Sequence, residues 1–189
     1  MKNAQTDYIQ WSNGESISWS AEYILTVNIA QVLGELKNEK KLDGIFLEYS
    51  VDSFAEECNI DKKEITEGDL RKGRFDICVD ITENKSTIIE VKNTVQHKGG
   101  KLESILKDIE RCHYFIENTK IVEDAYICFF VDGTENQDNI IKNKIKKFKK
   151  AIENKCLNLK LEFEESTSQI YKERDNLYWA SVVIRFFKK

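Results

Sequence analysis

Charged residues lie within the two apolar segments of GRFDICVDITENKSTIIEVKN, residues 73–93, among them Asp76, Glu90 and Lys92. Asp76 belongs to the first segment, while Glu90 and Lys92 belong to the second and share one face of it, because side chains alternate along a strand. Two carboxylates a few ångströms apart repel each other unless a positive charge lies between them. A Mg²⁺-like ion accepts hard oxygen ligands and leaves positions open for water and phosphate, and a neighbouring lysine can hold the attacking water. These residues therefore predict metal-dependent hydrolysis of a phosphodiester.

The two segments are predicted to form an antiparallel hairpin, which brings the first strand's acids towards Glu90. The first strand, RFDICVDI, alternates between an apolar face and a more polar one, which are respectively Phe75, Ile77, Val79 and Ile81, and Asp76, Cys78 and Asp80. Asp80 has the same parity as Asp76 and lies closer to the turn. The sequence therefore leaves open which of these two acids completes the site.

A further acid is predicted to approach from a helix over residues 18–37. Apolar residues recur there at helical spacing, namely Leu25, Ile29, Val32, Leu33 and Leu36. Ser18 or Ser20 could cap the start of this helix. Glu22 precedes Leu25 by three positions, so it lies along the apolar stripe and towards the sheet, where an acid is costly unless it is paired, hydrated or metal-linked. The alternative interpretation is that Glu22 complements the macrodipole of the first turn.

The rest of the chain is predicted to supply the remaining strands and helices of one domain, residues 1–189. Extended structure is expected over 44–54 and 124–133 and in LKLEFEE and YWASVVIRFF, and helices over 101–117 and in NIIKNKIKKFKKAIENK. The segment 56–72 is read as a connection that could include a short turn of helix. The resulting order is α-β-β-β-α-β, followed by a C-terminal helix and strand extension. This order predicts an α/β fold with a mixed central sheet flanked by helices.

The order of elements and acids resembles the PD-(D/E)xK, or restriction-endonuclease-like, nuclease superfamily. The matching residues are Glu22 in SAEYILTVNIAQVL, Asp76 in KGRFDI, and Glu90 with Lys92 in IIEVKN. The resemblance covers residues 16–133, and Phe75 stands where the superfamily's name-giving proline would be.

The resemblance implies a role for each matching residue. Asp76 and Glu90 would ligate Mg²⁺, for which Mn²⁺ could substitute, together with the carbonyl oxygen of Val91. Glu22 would be an auxiliary metal or water ligand. Lys92 would serve the nucleophilic water.

Basic residues that follow the second strand are candidates for binding the substrate. Lys98 and Lys101 flank two glycines in QHKGGK, which suggests a mobile loop suited to contact with phosphate. Arg111 in the following helix could contact the substrate backbone. The alternative for that helix is an ordinary solvated face with pairs of charges at helical spacing.

Composition limits the class of protein and its compartment. The 189 residues are 41% hydrophobic and 33% charged, with a formal net charge of -4. This charge argues against a protein whose whole surface binds nucleic acid, but it allows a local basic groove. The five cysteines form no CxxC pair, which favours reduced thiols. The polar N-terminus has no signal-peptide core, and no stretch approaches the ~20 apolar residues of a membrane helix. A cytoplasmic protein without membrane contact is expected.

Together, these observations predict a Mg²⁺-dependent deoxyribonuclease, an endonuclease acting on DNA. By analogy with the superfamily, its setting would be restriction or defence against foreign DNA. Cutting both strands of a duplex would favour a homodimer, or the chain would be one subunit of a larger system. The alternative hypothesis is a catalytically inactive nuclease fold that serves as a binding or regulatory subunit.

Overall fold

The computed structural model describes residues 22–60, 73–93, 100–134, 138–172 and 177–188, together with Thr6 and Gln10. The elements of these ranges, numbered in chain order, are α1 (Glu22–Asn38), β1 (Gly44–Ser50), α2 (Val51–Glu57), β2 (Arg74–Thr82), β3 (Lys85–Lys92), α3 (Gly100–Asn118), β4 (Val122–Thr134), α4 (Asp138–Leu159), β5 (Leu161–Thr167), β6 (Tyr171–Lys172) and β7 (Leu177–Lys188).

The seven strands form one mixed sheet. Its order is β1-β2-β3-β4-β7-β5, and β6 pairs with β7. Strands β3 and β4 are parallel, while the other neighbouring strands are antiparallel. A parallel pair needs a crossover connection, which α3 provides here. The predicted α/β architecture, a mixed sheet flanked by helices, is confirmed.

Strand β3 is buried on both faces, because a helix covers each of them. Its residues 86–91 are all buried. On one face Ile88 packs in a cluster with Ile105 and Ile109 of α3. On the other face Ile89 and Val91 pack in a cluster with Leu25 of α1. Since Glu90 and Lys92 have the parity of Ile88, the strand directs them towards α3.

An aromatic cluster fixes the start of β2 beneath α3. The rings of Phe54, Phe75 and Phe115 lie with centroids 5.3–5.6 Å apart, and Phe75 meets both of its neighbours edge-on. Edge-to-face pairs are a preferred arrangement of aromatic rings. The cluster holds the β2 backbone in place one residue before Asp76.

The predicted alternation of β2 is wrong at its start. Phe75 packs with Cys78 in the cluster under α3, whereas Ile77 and Val79 belong to the cluster under α1. The ladder with β3 begins only at Ile77, and the ladder with β1 skips Glu48 and Asp76, so the strand is irregular where its alternation changes. At the other end, Ile81 is 38% exposed, and the ladder with β3 shifts its register between Asp80 and Thr82.

Residues 51–54 were predicted to be extended and instead begin helix α2. Ser50 precedes the helix, and its Oγ accepts a hydrogen bond from the Ser53 backbone N–H at 3.4 Å. Serine at this position satisfies an N–H group that has no partner within the helix. Phe54 and Ala55 are buried, so the helix also contributes to the core.

The remaining elements follow the sequence prediction with shifted bounds. Helix α4 extends four residues beyond the predicted segment, to Leu159, and the short strand β6 was not predicted. Ser18 and Ser20, the predicted caps of the first helix, lie outside the described residues. None of the described helices is long and apolar enough to cross a membrane.

Candidate functional site

The ammonium of Lys92 lies among five oxygen atoms at the carboxyl end of β3. The distances from its Nζ are 3.2 Å to Val91 O, 3.3 Å to Asp108 Oδ2, 3.7 Å to Glu90 Oε2, 3.8 Å to Glu22 Oε1 and 3.9 Å to Asp76 Oδ2. We call the six residues that meet here the acid–lysine cluster: Glu22, Asp76, Glu90, Lys92, Asp108 and Arg111. Four elements that are distant in sequence, α1, β2, β3 and α3, supply them.

Asp76 is the acid of β2 that joins the cluster. Its Oδ2 accepts a hydrogen bond from the Val91 N–H at 2.6 Å. The Asp76 side chain thus serves as the acceptor for a backbone N–H of β3, in place of a carbonyl oxygen of β2. Asp80 lies opposite Ser86 near the turn, and its Oδ1 accepts a hydrogen bond from the Ser86 hydroxyl at 2.7 Å. The two acids are four positions apart, about 13 Å along β2. Of the two acids left open by the sequence, the structure brings Asp76 to Lys92 and pairs Asp80 elsewhere.

Glu22 reaches the cluster from the first turn of α1. Its Oε2 accepts a hydrogen bond from the Asn93 N–H at 3.0 Å, which ties the start of α1 to the end of β3. Burial raises the pKa of Glu22, while Lys92 and the Asn93 N–H act in the opposite direction. The side chain therefore faces the sheet, as its place on the apolar stripe predicts.

Glu90 is the most deeply buried acid of the cluster and is 1% exposed. Its Oε1 accepts a hydrogen bond from Nη2 of Arg111. Burial raises the pKa of Glu90 to about 8; Arg111 and Lys92 oppose this rise, whereas Asp108 adds to it. The protein thus holds this carboxylate where its charge depends on the two neighbouring cations.

Arg111, predicted to contact the substrate, lies inside the cluster and is 7% exposed. Besides its bond to Glu90, its Nη2 donates to Asp108 Oδ1 at 3.2 Å. Its Cζ lies 5.1 Å from the ring centroid of Phe75, within the range of a cation–π contact. The guanidinium is therefore bound to acids of the protein and faces away from the solvent.

Asp108 is the site residue that sequence reasoning missed. It is 3% exposed, and its Oδ2, although near the Lys92 ammonium, accepts no hydrogen bond from the described residues. A signal was present, because Asp108 follows Ile105 by three positions and precedes Cys112 by four. It therefore lies on the apolar stripe of α3, where an acid is costly unless it is paired, hydrated or metal-linked, as at Glu22.

The side chains of the two predicted substrate-binding lysines lie outside the described part of the chain. Lys98 lies outside the described residues, and so does the side chain of Lys101, whose backbone belongs to α3. Their assignment stays a prediction.

The donor atoms of the cluster are of the kind that a hard divalent cation binds. Carboxylate and carbonyl oxygens are the ligands of Mg²⁺, and Asp76, Glu90, Glu22 and Val91 direct such oxygens at one point. Within the described ranges, no group of three or more His, Cys, Asp and Glu side chains has the arrangement of a metal site. The Lys92 ammonium lies at the point that these oxygens share. The oxygen atoms of these residues are of the type that such an ion binds. The Lys92 ammonium, a cation of the protein itself, lies among them.

No family model, curated protein or solved structure matches the chain. The class is therefore defined by the structure itself: an α/β protein with a mixed seven-stranded sheet whose interior strand β3 ends in an acid–lysine cluster.

Proposed function

We propose that the protein is a metal-dependent nuclease of the PD-(D/E)xK type, which hydrolyses phosphodiester bonds of DNA. The observation that carries the proposal is the convergence of Glu22, Asp76 and Glu90 on Lys92 within 4 Å. Glu22 and Asn93, which share a hydrogen bond here, are 71 residues apart in the chain. Asp76 belongs to β2, whereas Glu90 and Lys92 belong to β3. Local sequence alone therefore does not bring these side chains together.

The residues divide between holding a metal and acting on water and phosphate. Asp76, Glu90 and the Val91 carbonyl would hold Mg²⁺ or Mn²⁺, with Glu22 as an auxiliary ligand. The bound ion would polarise the phosphate and lower the pKa of a bound water. The Lys92 ammonium would donate hydrogen bonds to the attacking water and to the phosphate oxygens, where negative charge develops. In hydrolysis the water oxygen bonds to phosphorus, one ester P–O bond breaks, and the leaving oxygen takes up a proton.

Contacts within the protein prepare these groups. The Val91 N–H fixes Asp76, and Arg111 donates to Glu90. A cationic partner favours the charged form of a buried carboxylate, which is the form that a metal needs. Positioning of this kind reduces the reorganisation that the reaction requires.

The biological setting is proposed by analogy with the superfamily, and the cellular compartment is proposed from the state of the cysteines. Restriction or defence against foreign DNA is the setting that the likeness to the superfamily implies. All five cysteines are free in the structure, which agrees with a reducing, cytoplasmic compartment. Cutting both strands of DNA would be served by a homodimer or by a partner subunit.

The proposal is tested by incubating the purified protein with supercoiled plasmid and Mg²⁺ or Mn²⁺. We expect cleavage by the wild type and a loss of at least about 100-fold in the rate for Asp76→Asn and for Lys92→Ala. Asp80→Asn is the matched control, because it makes the same change on the same strand at an acid bonded to Ser86. Its cleavage rate should stay within about twofold of the wild type. Absence of cleavage by the wild type with both metals, or survival of cleavage in both site variants, would exclude this function.

A second candidate is a nuclease fold that has lost catalysis and serves as a binding or regulatory subunit. The position of Lys92 favours it, since the ammonium lies among the acids that would bind the metal. Calorimetric titration with Mn²⁺ separates the two candidates. An inactive subunit should show no heat that depends on Asp76 and Glu90, whereas an active nuclease should lose its binding heat in Asp76→Asn and Glu90→Gln.

A further inference from the structure

The acid–lysine cluster contains more acids than its own bases neutralise. Four carboxylates, those of Glu22, Asp76, Glu90 and Asp108, lie within 4 Å of Lys92 Nζ. Arg111, the other base of the cluster, contacts two of these acids. When all six groups are ionised, the cluster carries an excess of two negative charges.

Asp108 is the acid nearest to the ammonium, and it is the one that no nuclease motif accounts for. Its Oδ2 is buried, lies 3.3 Å from Lys92 Nζ and accepts no hydrogen bond from the described residues. A buried acceptor without a directed hydrogen bond carries a desolvation cost. Arg111 contacts the other oxygen of this carboxylate, Oδ1, at 3.2 Å, whereas Lys92 is the cation beside Oδ2. The attraction between Lys92 and Oδ2 therefore holds the ammonium close to this oxygen.

We propose that Lys92 is the internal cation of this site in the metal-free protein, anchored by Asp108, and that a divalent ion must displace it to bind. The proposal rests on the metal-dependent function proposed above. Nζ lies within 3.9 Å of one oxygen from each residue that would ligate the ion. Two cations sharing that space would repel each other strongly, because like charges a few ångströms apart in a largely buried site are weakly screened.

The side chain of Lys92 has the freedom that such a displacement needs. It is 17% exposed, so the cluster is open to solvent on one side. Lysine carries its charge on a flexible four-carbon stem, and its ammonium can move without any change in the backbone. Metal binding and movement of Lys92 are therefore one coupled step.

This coupling has a consequence that separates it from an ordinary catalytic lysine. Replacing Lys92 by a neutral residue removes the competitor for the oxygens and also removes the group that acts on water and phosphate. Metal affinity should therefore rise in the same variant in which cleavage is lost. A lysine that lies apart from the metal would leave the affinity nearly unchanged.

The test is the affinity for Mn²⁺ alone, without DNA, measured by calorimetry and by the electron paramagnetic resonance of free Mn²⁺. Lys92→Met should bind at least about tenfold more tightly than the wild type, since it removes a direct charge competitor. Lys92→Arg keeps the charge and should show no such gain. Lys107→Met removes a positive charge from the exposed face of the same helix that carries Asp108, and its affinity should stay within about twofold. If metal-free Lys92→Met does not fold, its refolding with Mn²⁺, followed by circular dichroism, gives an apparent affinity that is a lower limit for the folded variant, because part of the binding free energy drives folding.

Each outcome decides the question. Equal affinity of the wild type and Lys92→Met would overturn the internal-cation role and leave the metal-dependent nuclease in place. An equal gain in Lys92→Arg would show that charge is not the cause and would overturn it as well. Absence of Mn²⁺ binding in both the wild type and Lys92→Met would overturn this inference together with the proposed function.

Discussion

Glu90 of β3 and Arg111 of α3 form a hydrogen-bonded ion pair in the interior of the protein. Their side chains are 1% and 8% exposed, so the pair is almost completely removed from water. It connects the sheet to its crossover helix at the position where the other acids and Lys92 gather. The same contact therefore supports both the fold and the candidate site.

Arg111→Met should destabilise the protein severely, because it leaves Glu90 buried without its hydrogen-bonded cation. Removing one partner of a buried ion pair costs about 3–5 kcal/mol of the free energy of unfolding. Urea unfolding of the metal-free variant above pH 8, where Glu90 is ionised, gives this free energy. Lys107→Met, on the exposed face of the same helix, should stay within about 0.5 kcal/mol of the wild type. Equal stability of Arg111→Met and Lys107→Met would contradict the structural role of the pair.

The stability of the metal-free protein should fall as the pH rises from about 5 to about 8. Burial raises the pKa of Glu90 from the ordinary 4.5 to about 8, so the folded protein holds a proton that the unfolded chain has already lost in this range. The stabilisation from this group is complete below pH 4.5 and is lost as the pH passes 8. The raised pKa of Glu22 acts in the same direction. Glu90→Gln, measured by urea unfolding at several pH values, should reduce the slope; an unchanged slope would show that Glu90 is not its source.

Phe75→Ala should cost about 3–5 kcal/mol of the free energy of unfolding, as is typical of a fully buried phenylalanine. The Phe75 ring contacts Phe54, Phe115 and the guanidinium of Arg111, so the substitution opens a cavity next to the acid–lysine cluster. Phe46→Ala is the matched control, since that ring is 41% exposed. Its cost should be below about 1 kcal/mol. Thermal and urea unfolding of the two variants would measure the difference, and similar losses would contradict the assigned core.

The five thiols should react with iodoacetamide in an order set by exposure. Burial raises the pKa of Cys58 to about 12 and raises the pKa of the other four thiols as well, so all should react slowly in the folded protein. Cys58 is partly exposed, while the other four cysteines are buried. Mass spectrometry of the native protein should therefore find Cys58 modified first. Earlier labelling of Cys78 or Cys112 would contradict the packing under α3.

The local periodicity of the sequence predicted most of the elements. Alternation identified the hairpin of β2 and β3, helical spacing identified α3 and a continuous apolar segment identified β4, because these patterns depend only on near neighbours in the chain. The same patterns failed at residues 51–54, where apolar and aromatic residues suggested a strand and the contact between Ser50 and Ser53 begins a helix. Short apolar segments fit either structure, and burial against the rest of the fold decides between them.

The sequence by itself determined which acids and which lysine are candidates, since Glu22, Asp76, Glu90 and Lys92 each stand out against an apolar pattern. Only the tertiary structure decided which of them meet. The register of β2 against β3 brings Asp76 close to Lys92 and places Asp80 opposite Ser86, whose hydroxyl donates a hydrogen bond to it. The packing of α3 adds Asp108 and turns Arg111 inwards to Glu90. These meetings depend on strand register and helix placement, which the whole core fixes and no short segment encodes.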